Sequence, residues 1–343
     1  MQLRIRDIAQ KSGVSLSTVS RVLNNSGYVK TETKELVLKA VQELGFSHDF
    51  VSKKTKKQHK NKIIGVVIPD ITNPFFGEVI KGINKVADNE ELNFILCDTN
   101  ENVDKEIRYL EMLKEHNIKG LIITPATDQN EFNRNYLVQL DNMGVPIVLL
   151  DRDIKYSHFD TVFLDNIKGA YQAVEALIEE GHEKIAIIAG PITSKPGRDR
   201  VSGYQKALGM NGIHEDEKYM FYGDFRLESG YNLTKEILNM NEPPSAIFVS
   251  NNMMTIGCIK ALFEMNVRIP QDMAIVGFDD IYIFNVINLN ISTVSRPTSL
   301  MGEEAMNILM ERLNKKGGDN KTIKKVILPP CLILRGSEKY IKK

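Results

Sequence analysis

The sequence predicts an α/β protein in two unlike parts: a three-helix helix-turn-helix head, then a larger two-lobed body of doubly wound parallel sheets. Charge is the first sign. Residues 1–62 hold 13 Lys/Arg against 5 Asp/Glu, a net +8, and the rest of the chain carries the balancing −8. The second sign is three short helical patterns between residues 5 and 46, the first two parted by a glycine. The third is the alternation of apolar strand-like runs with amphipathic helical runs from residue 63 onward. At 343 residues the chain exceeds one core and suits two or three.

Composition then removes several classes of protein. A quarter charged and two fifths hydrophobic argues against wholesale disorder. No run approaches the roughly 18 to 20 apolar residues a membrane span needs, so no membrane partner is expected. The segment Met1 to Asp7 meets an acid early and has no apolar h-region, so a cytoplasmic protein without an export signal is expected. Cys97, Cys258 and Cys331 are odd in number and far apart, which fits neither a disulfide framework nor a zinc site. The six histidines are dispersed, with no pair at metal-ligand spacing on a helix. There is no Gly-x-Gly-x-x-Gly, no Walker loop and no Gly-x-Ser-x-Gly elbow. An enzyme, a metal site and a cofactor are therefore not expected.

The first helical pattern runs from Ile5 to Ser12, with Ile5, Ile8 and Ala9 on one face, and Gly13 breaks it. Ser15 is a good N-cap for the second, which extends to Asn24. The third starts near Thr31, carries Leu36, Val37, Ala40, Val41 and Leu44, and stops at Gly45. Two helices joined by a short Gly-containing turn are the helix-turn-helix pattern. At 100° per residue, Thr18, Val19, Val22 and Leu23 fall in one sector of the second helix, and Leu16, Ser17, Ser20 and Arg21 in the other. The outer sector has the chemistry that reads a major groove: a guanidinium for guanine, an apolar group for a thymine methyl, hydroxyls for phosphate or base. An exposed helix face solvated by the same groups is the plainer reading; the basic charge of the head favours DNA.

The runs Ile5-Arg6-Asp7-Ile8-Ala9, Gly13-Val14-Ser15 and Thr18-Val19-Ser20-Arg21-Val22-Leu23-Asn24 resemble the lactose/galactose-repressor family of bacterial transcription regulators. The resemblance implies that the second helix enters the major groove of a pseudo-palindromic DNA operator. Base-reading positions fall on Leu16, Ser17 and Arg21, with Ser15, Thr18, Ser20 and Asn24 as further DNA-facing candidates. A DNA-binding domain over 1–46 and a basic hinge over 47–62 follow. The hinge adds Lys53, Lys54, Thr55 and Lys56 as candidates. It departs from the family pattern: His48-Asp49 stands where Pro-Asn is common, and the minor-groove wedge falls on Thr55 or Lys56 rather than on Leu. The departure implies less operator kinking and more reliance on phosphate contacts.

In the body, strands are expected over 63–68, 93–98, 120–124, 146–151, 184–189, 246–249 and 273–278, with helices over 106–113, 170–178 and 255–265 among others. Ligands of such sheets bind beyond the carboxyl ends of strands. Five groups sit there: Asp70 to Phe76, Asp151-Arg152, Arg198-Asp199-Arg200, Ser250-Asn251-Asn252 and Asp279-Asp280. Singly, each reads as an ion pair or as core. Together they read as one pocket in which aromatic faces stack on a sugar ring and Asp, Asn and Arg hold its hydroxyls. Gly181-His182 reads as a helix terminus.

The family resemblance extends through Pro69 to Phe76, Gly181-His182 and Val276 to Asp280, and the body is also similar to the periplasmic ribose-type sugar-binding proteins (the type I fold). It implies sugar contacts at Asn73, Phe75, Phe76, Asp151, Arg152, Arg200, Asn251 and Asp279, with Ser295 the candidate on the last contact strand and Arg296 near enough to reach in. The implied body spans 63–343, with lobe 1 over 63–160 and 291–321 and lobe 2 over 161–290 and 322–343. Crossings are placed near Thr161, Asn290 and Thr322, and a helix over 299–316 returns to lobe 1. The implied partners are operator DNA, a small sugar (ribose before other pentoses) and a second copy in a homodimer, a tetramer being the alternative. A sugar acid, a sugar phosphate or a protein co-effector are the competing effectors.

Overall fold

The computed structural model describes residues 5–24, 27–44, 63–128, 131–314 and 322–340. It divides into two compact units, Met1–Lys62 and Ile63–Lys343. Lys53, Lys54, Thr55 and Lys56 lie outside the described residues.

In the first unit α1 (Ile5–Ser12), α2 (Leu16–Asn24) and α3 (Thr31–Glu43) enclose a small core of Ile8, Val19, Val22, Leu23, Val37, Ala40 and Val41. Gly13, at φ +68°, takes the left-handed turn between α1 and α2 that a side chain would strain. Leu36 is not part of that core. It is 54% exposed, because a step of one residue swings it 100° away from the face that Val37, Ala40 and Val41 share.

The second unit contains two six-stranded sheets. In lobe 1, β1 (Ile63–Ile68), β2 (Asn93–Asp98), β3 (Leu121–Ile123), β4 (Ile147–Leu150), β5 (Asp160–Leu164) and β11 (Lys325–Leu328) lie in the order β11-β5-β4-β3-β1-β2, all parallel. In lobe 2, β6 (Ile185–Ala189), β7 (Met220–Tyr222), β8 (Ala246–Val249), β9 (Ala274–Phe278), β10 (Ser292–Ser295) and β12 (Cys331–Ile333) lie in the order β12-β10-β9-β8-β6-β7. Only β12 runs antiparallel to its neighbour there. The helices of lobe 1 are α4 (Pro74–Asn89), α5 (Val103–Glu115), α6 (Glu131–Asn142) and α12 (Thr298–Asn314). Those of lobe 2 are α7 (Asn166–Glu179), α8 (Lys195–Met210), α9 (Leu227–Leu238), α10 (Asn252–Glu264) and α11 (Tyr282–Val286). Buried apolar side chains fill both faces of each sheet.

The chain crosses between lobes at Asp165, at Arg296-Pro297 and at Pro329-Pro330. This corrects the expected crossings. Thr161 lies inside β5, and Asn290 precedes β10, which belongs to lobe 2. Thr322 precedes β11, which belongs to lobe 1. The three strands β5, β10 and β11 are short and mix hydroxyl or charged residues with apolar ones, so their pattern is faint, yet each extends its lobe by several residues. The helix expected over 299–316 is α12, packed on α4 in lobe 1 through Gly82 and Gly302.

Gly181 ends α7 at φ +95° and donates to Ile178 O, while His182 N donates to Leu177 O. The His182 ring lies between Ser245 Oγ (2.8 Å) and Glu338 O (3.1 Å), tying the C-terminal segment to lobe 2. Burial holds its pKa below the ordinary histidine value.

Candidate functional site

On α2, Val19, Val22 and Leu23 face the core, which turns Leu16, Ser17 and Arg21 outward; Leu16 is 46% exposed. Ser15 Oγ accepts from Thr18 N at 3.2 Å and shares hydrogen bonds with Ser17 Oγ (2.8 Å) and Thr18 Oγ1 (2.9 Å). That cap fixes where α2 starts and how it presents its first turn. Thr18 and Ser20 are half-buried, and Asn24 closes the helix.

The second candidate site is the cleft between the two lobes of the body. Eight of the nine expected ligand residues, Asn73, Phe75, Phe76, Asp151, Arg152, Arg200, Asn251 and Asp279, line one cleft. Ser295 does not join them. It borders a neighbouring groove beside Tyr282 and Ile283, and Arg296, one residue on, lines the cleft.

Strand ends and helix starts position these groups. Asn73 caps α4, its Oδ1 accepting from Phe75 N (3.0 Å) and from Asn252 Nδ2 of the other lobe (2.8 Å). Asn251 caps α10 through Met254 N (3.0 Å) and donates to Phe225 O (2.8 Å). Phe75 and Phe76 open α4 edge to face, with ring centroids 4.8 Å apart. Arg152 forms a fork with Glu101, two donations of 2.7 Å, and also reaches Pro125 O and Ala126 O. Burial works against the charge of Arg152, but Glu101, together with Asp151 and Glu106, outweighs it and its pKa moves up. The Phe225 ring of lobe 2 lies 5.6 Å from the same guanidinium.

Arg200 is buried, donates to Asn166 Oδ1 (2.9 Å) and Ser250 O (2.5 Å), and stacks 3.8 Å from the Phe278 centroid. Burial first, then the nearby Arg296, bring its pKa down to about 10. Arg296 lies at the centre of the cleft. Its Nη1 donates to Asp151 Oδ1 (2.9 Å) from lobe 1 and its Nη2 to Asp279 Oδ2 (2.7 Å) from lobe 2, while its Nε pairs with Asp279 Oδ1. Its guanidinium carbon is 3.7 Å from the Phe75 centroid. Further bonds join the lobes: Arg226 to Asn100 (3.3 Å) and Arg198 to Asp128 (2.5 Å). This is a closed cleft.

Sequence reasoning passed over Glu101, Asp224, Phe225 and Arg226, which also line the cavity. Glu101 stands just beyond β2, so the strand-end rule would have found it. The other three follow β7, a strand of three residues too short to register as a pattern.

A helix-turn-helix unit joined in one chain to a two-lobed α/β body with a polar interlobe cleft defines a ligand-responsive DNA-binding regulator. Residues 4–49 match the family described as bacterial regulatory proteins, lacI family, and residues 61–332 match periplasmic binding proteins and sugar binding domain of LacI family. The chain belongs to the LacI family of transcriptional regulators. The transcriptional repressor PurR of Edwardsiella ictaluri (strain 93-146) is 34% identical over 335 residues, 97% of this chain and 96% of that protein. A solved complex of the transcriptional regulator CelR with cellobiose is 28% identical, covers 98% of this chain and 100% of its own, and superposes with a TM-score of 0.73. A LacI family regulator from Enterococcus faecium with bound ribose is also 28% identical, over 82% of this chain and 100% of its own, with a TM-score of 0.73. No helix among the described residues is long and apolar enough to cross a membrane.

Proposed function

We propose that this chain is a homodimeric repressor that reads a pseudo-palindromic operator through Leu16, Ser17 and Arg21 and is switched by a small sugar bound between its lobes. Ribose or a related pentose is the leading effector. The observation that carries the reading is the convergence of Asn73, Phe75, Asp151, Arg152, Arg200, Asn251 and Asp279, drawn from both lobes, on one cleft. An aromatic face beside two carboxylates and several guanidiniums suits the apolar faces and hydroxyl edges of a sugar ring. The ribose-bound and cellobiose-bound relatives support a carbohydrate, and the repressor PurR supports repression as the output. Closure of the lobes about the ligand would be the step that alters operator affinity.

A sugar acid or sugar phosphate is a second reading, favoured by the four guanidiniums of Arg152, Arg200, Arg226 and Arg296 around the cavity. A thermal-shift screen of the full chain against pentoses, hexoses, sugar acids and their phosphates decides. A ligand at a hundredfold excess over its Kd stabilises the folded state by about 2.7 kcal/mol. The expected hit is a pentose whose shift is lost in Arg200→Ala. If no compound in the panel shifts the melt, the carbohydrate reading fails and a protein co-effector takes its place.

A further inference from the structure

Three groups in the cleft are suited to hold a sugar ring: the carboxylates of Asp151 and Asp279 and the face of Phe75. All three are engaged by one side chain of the same molecule. Arg296 bonds both carboxylates and stacks on the ring, and it is 9% exposed. Its backbone lies at the second crossing, between β10 of lobe 2 and Pro297, so the side chain ties lobe 1 through Asp151 to lobe 2 through Asp279 from the hinge itself. We propose that Arg296 is a tethered occupant of the effector seat: it latches the lobes together, and an effector binds by displacing it.

The neighbouring structure gives the displaced side chain somewhere to go. On its other side Arg296 borders a groove that is also lined by Glu78 and Asp280. A guanidinium that leaves the seat enters a groove where Glu78 and Asp280 already pair with Lys81 and Arg335, so it shares those carboxylates with them. The seat it leaves is costly for an uncharged ligand. Removing one partner of a buried ion pair weakens an equilibrium on the order of a hundredfold or more. A neutral sugar has to offset that loss with hydroxyl donation to Asp151 and Asp279. Arg296 thus sets specificity by exclusion: it raises the threshold that any sugar must clear, and it makes closure precede binding instead of following it.

The inference about binding rests on the carbohydrate reading; the latch does not, so the two are tested by separate readouts on the full chain. Isothermal titration with D-ribose compares the unaltered protein with Arg296→Gln, which keeps an amide hydrogen-bonding group but no charge, and with Arg296→Met, which keeps only the bulk. Hydrogen exchange without sugar follows the interlobe segments 70–76 and 224–227. Arg296→Gln is expected to bind D-ribose at least tenfold tighter and to exchange at least tenfold faster in those segments, with Arg296→Met matching it in exchange. Faster exchange without ribose binding by any form upholds the latch and removes ribose as the effector. Unchanged exchange would show that Arg296 does not hold the lobes together, and ribose binding that weakens in Arg296→Gln would show that it contacts the sugar; either result overturns the proposal. Circular dichroism melts of both variants identify a variant that fails to fold, in which case the other supplies the answer.

Discussion

Asp151 and Asp279 are counterparts in the two lobes. Each follows the third strand of its sheet, β4 or β9, and each donates its amide to the next strand over, Asp151 to Val162 O (2.9 Å) and Asp279 to Val294 O (2.8 Å). Each also has left-handed backbone, at φ +60° and +74°. An L-residue in that region costs roughly 1–2 kcal/mol, and both residues turn their carboxylates on the same guanidinium, Arg296. Two lobes of the same topology have placed the same strained acid at the same strand end, and the cleft is built where they face each other.

This pairing separates backbone strain from charge at Asp279. Asp279→Ala keeps the strain and leaves Arg296 with Asp151 alone, so a loss of about 3 kcal/mol is expected, at the lower end for a broken buried pair. Asp279→Gly loses the same carboxylate but accepts φ +74° freely, so it should be more stable than Asp279→Ala by about 1 kcal/mol. Urea denaturation of the two variants measures the difference. Equal stabilities, or a less stable glycine variant, would show that the left-handed backbone carries no cost here.

The second prediction concerns α4 and α12. A Cβ on Gly82 would lie 2.0 Å from Ser299 O, and one on Gly302 would lie 2.1 Å from Val79 O. The two helices approach through a seam of backbone, with no side chain between them. Gly82→Ala must push α12 outward over the buried side chains of Met301, Ala305 and Met306, and a loss of about 2–3 kcal/mol is expected from such overpacking. Gly77→Ala, on the same helix with nothing within 4 Å, should be neutral or stabilising and serves as the control. Similar melting temperatures for the two variants would refute the close-packed seam.

The legible part of this protein was its punctuation. Gly13 and Ser15 marked the helix-turn-helix, and long runs of Val, Ile and Leu marked β1, β4, β6 and β9, since a strand buried on both faces has to be apolar throughout. Groups that follow such runs then pointed to the cleft, because only strand ends in a parallel sheet bring distant segments together, and the family resemblance picked eight residues within those groups. What stayed hidden depends on tertiary context. β5 and β10 are short and bury Asp, Thr and Ser among their apolar residues, while β7 and β11 are short edge strands, partly exposed, so the apolar pattern thins in all four. Those strands decide where the lobes begin and end, so the expected crossings shifted with them. Arg296 stood next to the expected Ser295, but its role depends on Asp151, 145 residues away in the chain.

For the head, the burial of Val19, Val22 and Leu23 makes Arg21 a side chain whose loss leaves the fold intact. Arg21→Ala should keep the melting temperature of the unaltered protein. It should weaken binding to the preferred operator by about 1–3 kcal/mol while changing affinity for random DNA far less, as expected for a base-reading contact. Fluorescence anisotropy with both DNAs at fixed salt reads the ratio. An equal loss on both would reassign Arg21 to the phosphates.

Behind the cleft, Glu106 of α5 is buried, accepting from Ala126 N (2.7 Å) and Asn133 Nδ2 (2.5 Å). The loop it holds supplies Pro125 O and Ala126 O to Arg152, so Glu106 supports a cleft arginine without touching the cavity. Burial raises its pKa from 4.5 to about 7, against the lowering effect of those two hydrogen bonds and of Arg152. An acid whose folded pKa is raised binds its proton more tightly when folded. Its contribution is therefore fully present below pH 4.5 and is lost as pH rises from there through about 7, a difference of about 3 kcal/mol at 1.36 kcal/mol per pKa unit. Glu106→Gln has no proton to lose. Its stability relative to the unaltered protein should rise by about that amount between pH 4.5 and 8, whatever the other titrating groups contribute to both. Urea denaturation across that range measures the difference, and parallel pH profiles would mean that Glu106 is ionised in the folded protein throughout.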